Sequence, residues 1–143
     1  MRISALLAAK DSAVATVDGG MSVVDAVAEL DRLGIGALVV SADGAHIDGI
    51  VSERDVVRAL HRRGPSVLED PVSSIMSTTV HTCTPDDDIA SLMTTMTNRR
   101  IRHVPVVVDG TLQGIVSIGD VVKSRIGELE KDRNELVDYI NAR

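Results

Sequence analysis

At 143 residues the chain has the length of one domain, enough to bury roughly 70% of its unfolded surface without disulfide or metal staples. Its apolar residues, 44% of the total, are aliphatic apart from a single aromatic ring at Tyr139, which argues against base-stacking surfaces and aromatic sugar platforms. A net charge of -6 argues against DNA, RNA or an anionic membrane as partner, and the one cysteine, Cys83, excludes an internal disulfide and fits a reducing compartment.

The opening "MRISALLAAKD" has a short apolar run that Lys10 and Asp11 cut before it reaches the length of an export signal, and no stretch of membrane-spanning length follows. A cytoplasmic protein is expected. Residues 14–17 read as a short strand. Ser22 with Asp25 three residues on marks a capped helix start, with Val23, Val27 and Leu30 along one face. "ALVVS" reads as a buried strand, Asp43-Gly44 as a turn and "IDGIVS" as the returning strand. A second helix spans 53–63 and stops at Gly64-Pro65.

The same order then recurs. A helix is expected over 86–98, a strand at "HVPVVV", a turn at Asp109-Gly110, a strand at "LQGIVS" and a helix from Ile118. "GIVSERDVV" at 49–57 matches "GIVSIGDVV" at 114–122 in all but the two residues before the Asp. A shift of 65 or 66 residues aligns "GIGALVV" with "RIRHVPV", and the lead-ins "ISALL" and "VSSIM" also correspond. The chain therefore divides into a first repeat at 1–66, a second at 67–125 and a tail at 126–143, each repeat a β-α-β-β-α unit. In the tail, Ile126, Leu129, Leu136, Val137 and Ile140 recur at helical spacing, predicting an amphipathic helix that Gly127 breaks from its predecessor or only bends.

The repeated phrase places Ser52 and Ser117 at the end of a strand and the start of a helix, where backbone N–H groups and the positive helix end favour an anion. Asp55 and Asp120 follow in the first helical turn, where a carboxylate can accept hydrogen bonds from a vicinal diol. Together they outline a ribose-phosphate site, although S-x-x-D is also an ordinary helix cap. Arg54 in the first copy and Arg102 and His103 in the second add cations suited to phosphate. "RALHRR" (58–63) reads as a solvated helix end, "NRRIRH" (98–103) as a phosphate contact and "TPDDD" (84–88) as a helix cap. Cys83 reads as a small core residue; a metal site shared with His81 lacks further ligands.

The tandem β-α-β-β-α repeat and the "PVVVDGTLQGIVSIGD" run of 105–120 resemble the CBS domain, two of which form a Bateman module. The resemblance implies an α+β fold with the two repeats packed in pseudo-two-fold symmetry, and regulatory binding of an adenosyl compound, AMP, ADP, ATP or NAD(H), in clefts between them. S-adenosylmethionine is the alternative ligand. It implies that Asp120 and Asp55 hold ribose hydroxyls, that Ser117 and Ser52 meet phosphate, and that Ile115 and Ile50 touch adenine. Arg102 and His103 would approach phosphates; the first copy has Gly36 and Ala37 there, so the clefts should differ. Each wall is expected from the other repeat's early segment: Lys10, Ala13 and Ala15 at the Asp120 cleft, Thr79 and His81 at the Asp55 cleft.

No nucleophile with a base and an orienting partner is visible, nor a P-loop, GxGxxG or HExxH. Enzyme activity, a catalytic cofactor and a metal are not expected. The resemblance further implies a homodimer built on the faces that carry Val56, Val57, Leu60, Val121 and Val122, and an effector protein of unknown identity. An assembly or stress-stability module that binds no ligand is the competing reading.

Overall fold

The computed structural model describes residues 1–10 and 14–142. In chain order the elements are α1 (Ile3–Ala8), β1 (Thr16–Val17), α2 (Val23–Leu33), β2 (Ala37–Val40), β3 (Gly49–Ser52) and α3 (Glu53–Arg63). Two 3-10 turns (Pro65–Glu69 and Val72–Ser74) lead into α4 (Ile89–Arg99), β4 (His103–Val108), β5 (Thr111–Ser117) and α5 (Ile118–Asn141). This is the expected α+β repeat. No described helix is long and apolar enough to cross a membrane.

Each repeat builds its own small sheet. In the first, β1 runs parallel to β2 and β3 antiparallel to it, with Leu38 opposite Val51 and Val40 opposite Gly49. In the second, β4 and β5 pair antiparallel across the Asp109-Gly110 turn, with His103 opposite Ser117. The leading strand is shorter than the sequence suggests. Thr16 and Val17 alone pair in the first repeat, because the chain turns at once and Asp18 accepts from the Gly20 N–H at 2.8 Å. Its counterpart in the second is a single bridge from Cys83 to Val106, and Pro85, which has no N–H to donate, follows two residues later. Cys83 is buried, as expected, and burial pushes its thiol up to about 12.

The helices begin where capping chemistry puts them. Ser22 accepts from the Asp25 N–H at 3.2 Å and Asp88 from the Ser91 N–H at 3.3 Å. Thus α4 starts three residues later than the acidic run suggests, with Asp88 as its cap. Ser52 and Ser117 both carry complete capping boxes with Asp55 and Asp120.

Two cores result, and the lead-ins are exchanged between them. The first repeat's core contains Val17, Ala26, Leu30, Leu38, Val40 and Val51, closed by Val72 from the lead-in of the second repeat. The second repeat's core contains Cys83, Ile89, Leu92, Met96, Val104, Val106, Val116 and Val121, closed by Ile3 and Leu6 from the lead-in of the first. Backbone bonds pin both exchanges. Ile3 N–H donates to Asp87 O at 2.9 Å and Ile89 N–H to Met1 O at 3.0 Å; Val23 N–H donates to Asp70 O at 2.9 Å and Val72 N–H to Met21 O at 2.7 Å.

These arms explain two glycines of the repeated phrase. A Cβ on Gly49 would stand 2.7 Å from Met76 Sδ and 2.8 Å from the carbonyl oxygen of Ser77, and one on Gly114 would stand 2.7 Å from Leu7 Cδ2. Each glycine is the space into which the other repeat's arm packs.

The tail does not form a separate helix. It continues α5, one 24-residue helix about 36 Å long, through Gly127. The Arg125–Glu128 ion pair, 2.7 Å, spans the glycine on the helix surface. Around and beyond it Ile126, Leu129, Leu136 and Ile140 are all more than half exposed, so the stripe does not dock on the chain's own core.

Candidate functional site

The two S-x-x-D boxes sit at matching strand-to-helix junctions, but their surroundings differ. At the first junction, Asp55 Oδ2 accepts from the Ser52 N–H at 2.9 Å and from the Ser52 hydroxyl at 3.0 Å, while the Asp55 N–H donates to Ser52 Oγ at 3.3 Å. Both cap bonds fall on one carboxylate oxygen; the other takes part in neither. This junction opens into a cleft of about 540 Å³, within the usual range for a small-molecule site.

The cleft collects residues from both repeats. Gly36, Ala37, Ile50, Ser52 and Asp55 come from the first, and Ser77, Thr79, Val80 and His81 from the segment after it, as expected of the wall. Arg102 and His103 line this same cleft, joined by Arg100 and Ile101. Arg54 is there too, and Arg58, one helical turn beyond Asp55 on the same face of α3. Arg58, in the stretch read as a solvated helix end, is exposed as expected and also borders this cleft. Four arginines face two carboxylates, Glu53 and Asp55, so the wall is cationic within an acidic protein.

His103 lies close over Gly36: a Cβ there would come within 3.1 Å of His103 Cε1 and 3.2 Å of Glu53 Oε1. Burial lowers the His103 pKa below the ordinary imidazole value, against the pull of Glu53 and Asp120 and with the push of Arg102 and Lys10. Backbone bonds tie each helix start to the opposite strand start of its repeat, from Glu53 N–H to Gly36 O at 3.0 Å and from Ile118 N–H to Arg102 O at 2.8 Å.

At the second junction Asp120 Oδ2 accepts from the Ser117 N–H at 2.9 Å, and the Asp120 N–H donates to Ser117 Oγ at 3.1 Å. Here Lys10 intervenes, its Nζ 2.7 Å from Asp120 Oδ2 and 2.9 Å from the Ile115 carbonyl oxygen. Partial burial pulls the Asp120 pKa up, but the Lys10 and Ser117 hydrogen bonds more than offset it and the net direction is down. Lys10, Ile115, Ser117 and Asp120 are brought together as the sequence suggests. Ala15 packs instead against the first repeat's core, and Ala13 lies outside the described residues.

Sequence reasoning named neither Arg58 nor Arg100 individually. Arg58 was legible from its three-residue spacing to Asp55, Arg100 only as a member of "NRRIRH". Arg100 caps α4 in a left-handed conformation at φ 55°, which turns the chain toward β4.

The comparisons with known proteins agree with this architecture. The family model of the CBS domain matches residues 10–62 and again 72–127. A mitochondrial CBS domain-containing protein of Arabidopsis thaliana, CBSX3, is 37% identical over 123 residues, which cover 83% of this chain and 60% of that protein. The chain thus spans under two thirds of that relative. The crystal structure of a CBS-domain containing protein from Agrobacterium tumefaciens superposes with a TM-score of 0.84 at 42% identity, covering 87% of this chain and 99% of that one. A CBS domain protein from Pyrobaculum aerophilum complexed with AMP superposes with a TM-score of 0.74 at 28% identity, covering 84% and 89%. Repeated phrase, paired sheets and two family matches fall on the same residues: the chain belongs to the CBS-domain family, with two CBS domains in tandem.

Proposed function

We propose that the protein is a regulatory module that binds an adenosyl nucleotide, AMP, ADP, ATP or NAD(H), in the cleft at Asp55. The observation that carries this reading is the convergence on one cleft of Ile50, Ser52 and Asp55 with Arg54, Arg58, Arg100 and Arg102. Asp55 offers a carboxylate oxygen to ribose hydroxyls, Ile50 an apolar contact for adenine, and the arginines a planar fork for phosphate. Thr79 and His81 complete the wall. The AMP bound by the Pyrobaculum relative supports the ligand class. The cationic wall favours phosphorylated nucleotides over S-adenosylmethionine, whose sulfonium is positive.

Binding would act by population shift: a ligand touching both repeats favours one geometry between them, by no more than its difference in affinity. Isothermal titration of nucleotide-stripped protein with AMP, ATP, NADH, S-adenosylmethionine and GTP tests the reading. We expect an adenine nucleotide to bind and GTP not to, and Asp55→Asn, which keeps a capping acceptor, to weaken binding about ten- to a hundredfold. Silence across the set from folded protein would instead support an assembly module.

The readout is proposed to be a homodimer, and beyond it an effector protein. Of the residues expected at the interface, Val56 and Val121 are buried in the chain itself, since neighbouring positions on a helix point about 100° apart. Leu60 is half-buried, and Val57 and Val122 are exposed. Val57 borders an apolar groove of about 410 Å³ between α2 and α3, lined also by Val27, Leu30 and Ile35. Sedimentation equilibrium should find dimers that Val57→Glu splits; a monomer at tens of micromolar would remove this part of the reading.

A further inference from the structure

The two clefts differ most in what already occupies them. Lys10 Nζ bonds at once to the Asp120 carboxylate and to the Ile115 carbonyl, and the pair is about two-thirds withdrawn from water, with side-chain exposures of 30% and 27%. Of the counterparts of these two acceptors, Asp55 lines the open cleft, whereas the Ile50 carbonyl accepts from the Ser77 N–H at 2.9 Å. The counterpart of Lys10 itself follows from the arms. Leu7 and Met76 occupy equivalent places against Gly114 and Gly49, and three residues beyond each stand Lys10 and Thr79. A neutral hydroxyl side chain thus borders the open cleft at the place where, in the other repeat, an ammonium pairs with the carboxylate.

We propose that Lys10 is a built-in competitor at Asp120, a tethered ammonium paired with the carboxylate that a ligand's hydroxyl donors would otherwise approach. It makes the chain a one-nucleotide module that admits a second ligand only when Lys10 is withdrawn. The proposal rests on the adenosyl reading of the clefts. Its physical basis is an exchange of unequal bonds. A ribose hydroxyl entering the cleft makes a charge-assisted hydrogen bond to Asp120 but, being neutral, does not replace the ion pair that Lys10 supplies. It must also leave the ammonium partly buried without its partner. At Asp55 a ligand meets no such competitor among the described residues, and its phosphates meet arginines.

Stoichiometry tests this. AMP and ATP would be titrated calorimetrically into the unaltered protein, Lys10→Met, Asp55→Asn and the double variant, each checked for its thermal transition. We expect one site in the unaltered chain and two in Lys10→Met, the second at least about tenfold tighter than any second-site binding before the change. Asp55→Asn should weaken the single site about ten- to a hundredfold, and the double variant should keep one site at the affinity that Lys10→Met gives the second. Lys10→Gln should behave as Lys10→Met does. Two sites in the unaltered chain, or weaker binding in Lys10→Met because Lys10 holds the ligand, would overturn the latch while leaving the adenosyl reading standing. Silence in all the proteins would remove the adenosyl reading and the latch with it.

Discussion

Ile3→Ala is expected to cost about 2–5 kcal/mol, the usual range for truncating a fully buried aliphatic side chain to alanine. For a chain of this size that lowers the thermal midpoint by roughly 6–15 °C. The position is three residues from the start of the chain, where a truncation ordinarily does little. Here Ile3 has no exposed surface and closes the core of the second repeat, held by the bond from its N–H to Asp87 O. Val24→Ala, on the exposed face of α2, should change stability by less than about 0.5 kcal/mol. Hydrogen exchange locates the damage. Protection should fall in β4, β5 and α4 before β2 and β3; the opposite order, or a midpoint unmoved by the substitution, would contradict the exchange of arms.

The largest expected effect on binding belongs to Arg100 and Arg102 together. With both replaced by Ala, the cleft wall loses two of its four guanidinium groups while the Ser52–Asp55 box and Ile50 stay in place. Hydrogen bonds to charged groups contribute about 1.5–3 kcal/mol, so the pair should cost AMP or ATP on the order of a hundredfold or more in affinity. Adenosine, with no phosphate, should bind nearly as before. The comparison of the two ligands is the decisive readout, because a general loosening of the cleft would weaken both alike. Equal losses would place the phosphates elsewhere, against the proposed polarity of the site.

Much of this architecture is legible in the chain, for reasons that differ by element. The bounds of α3 coincide with expectation, because a Ser-x-x-Asp start and a Gly-Pro stop act locally and unambiguously. The strands at "HVPVVV" and "GIVS" follow from short aliphatic runs set off by turn residues. The arms were not legible in the same way. "ISALL" and "VSSIM" correspond in sequence, but an apolar lead-in carries no mark of which core it will cover; that depends on the packing of two distant segments. The continuity of α5 was equally hidden. A glycine inside a helix costs about 1 kcal/mol relative to alanine, a cost that a surface ion pair and the good helix formers around it can offset.

The candidate site divides along the same line. Its first-repeat members, Ile50, Ser52 and Asp55, lie within six residues and reveal themselves by the repeated phrase. Its cations come from the α4–β4 junction of the other repeat, and no local pattern says that Arg100 and Arg102 face Asp55 rather than Asp120. Lys10 is the sharpest case. It was legible as a wall residue of the Asp120 cleft, but its bond to the carboxylate depends on where α1 docks, which is a property of the assembled fold.

The exchanged arms also bear on how such a chain could arise. A half-length ancestor holding one arm and one core would carry both a plug and a socket, with the plug directed away from its own socket. Two such halves satisfy each other by reciprocal insertion, the self-complementary geometry of a symmetric homodimer made by swapping an element. Joining the halves end to end would turn that association into an intramolecular one, free of any dependence on concentration. It would also release the two halves from identity, so that one could keep Thr79 at its cleft while the other acquired Lys10.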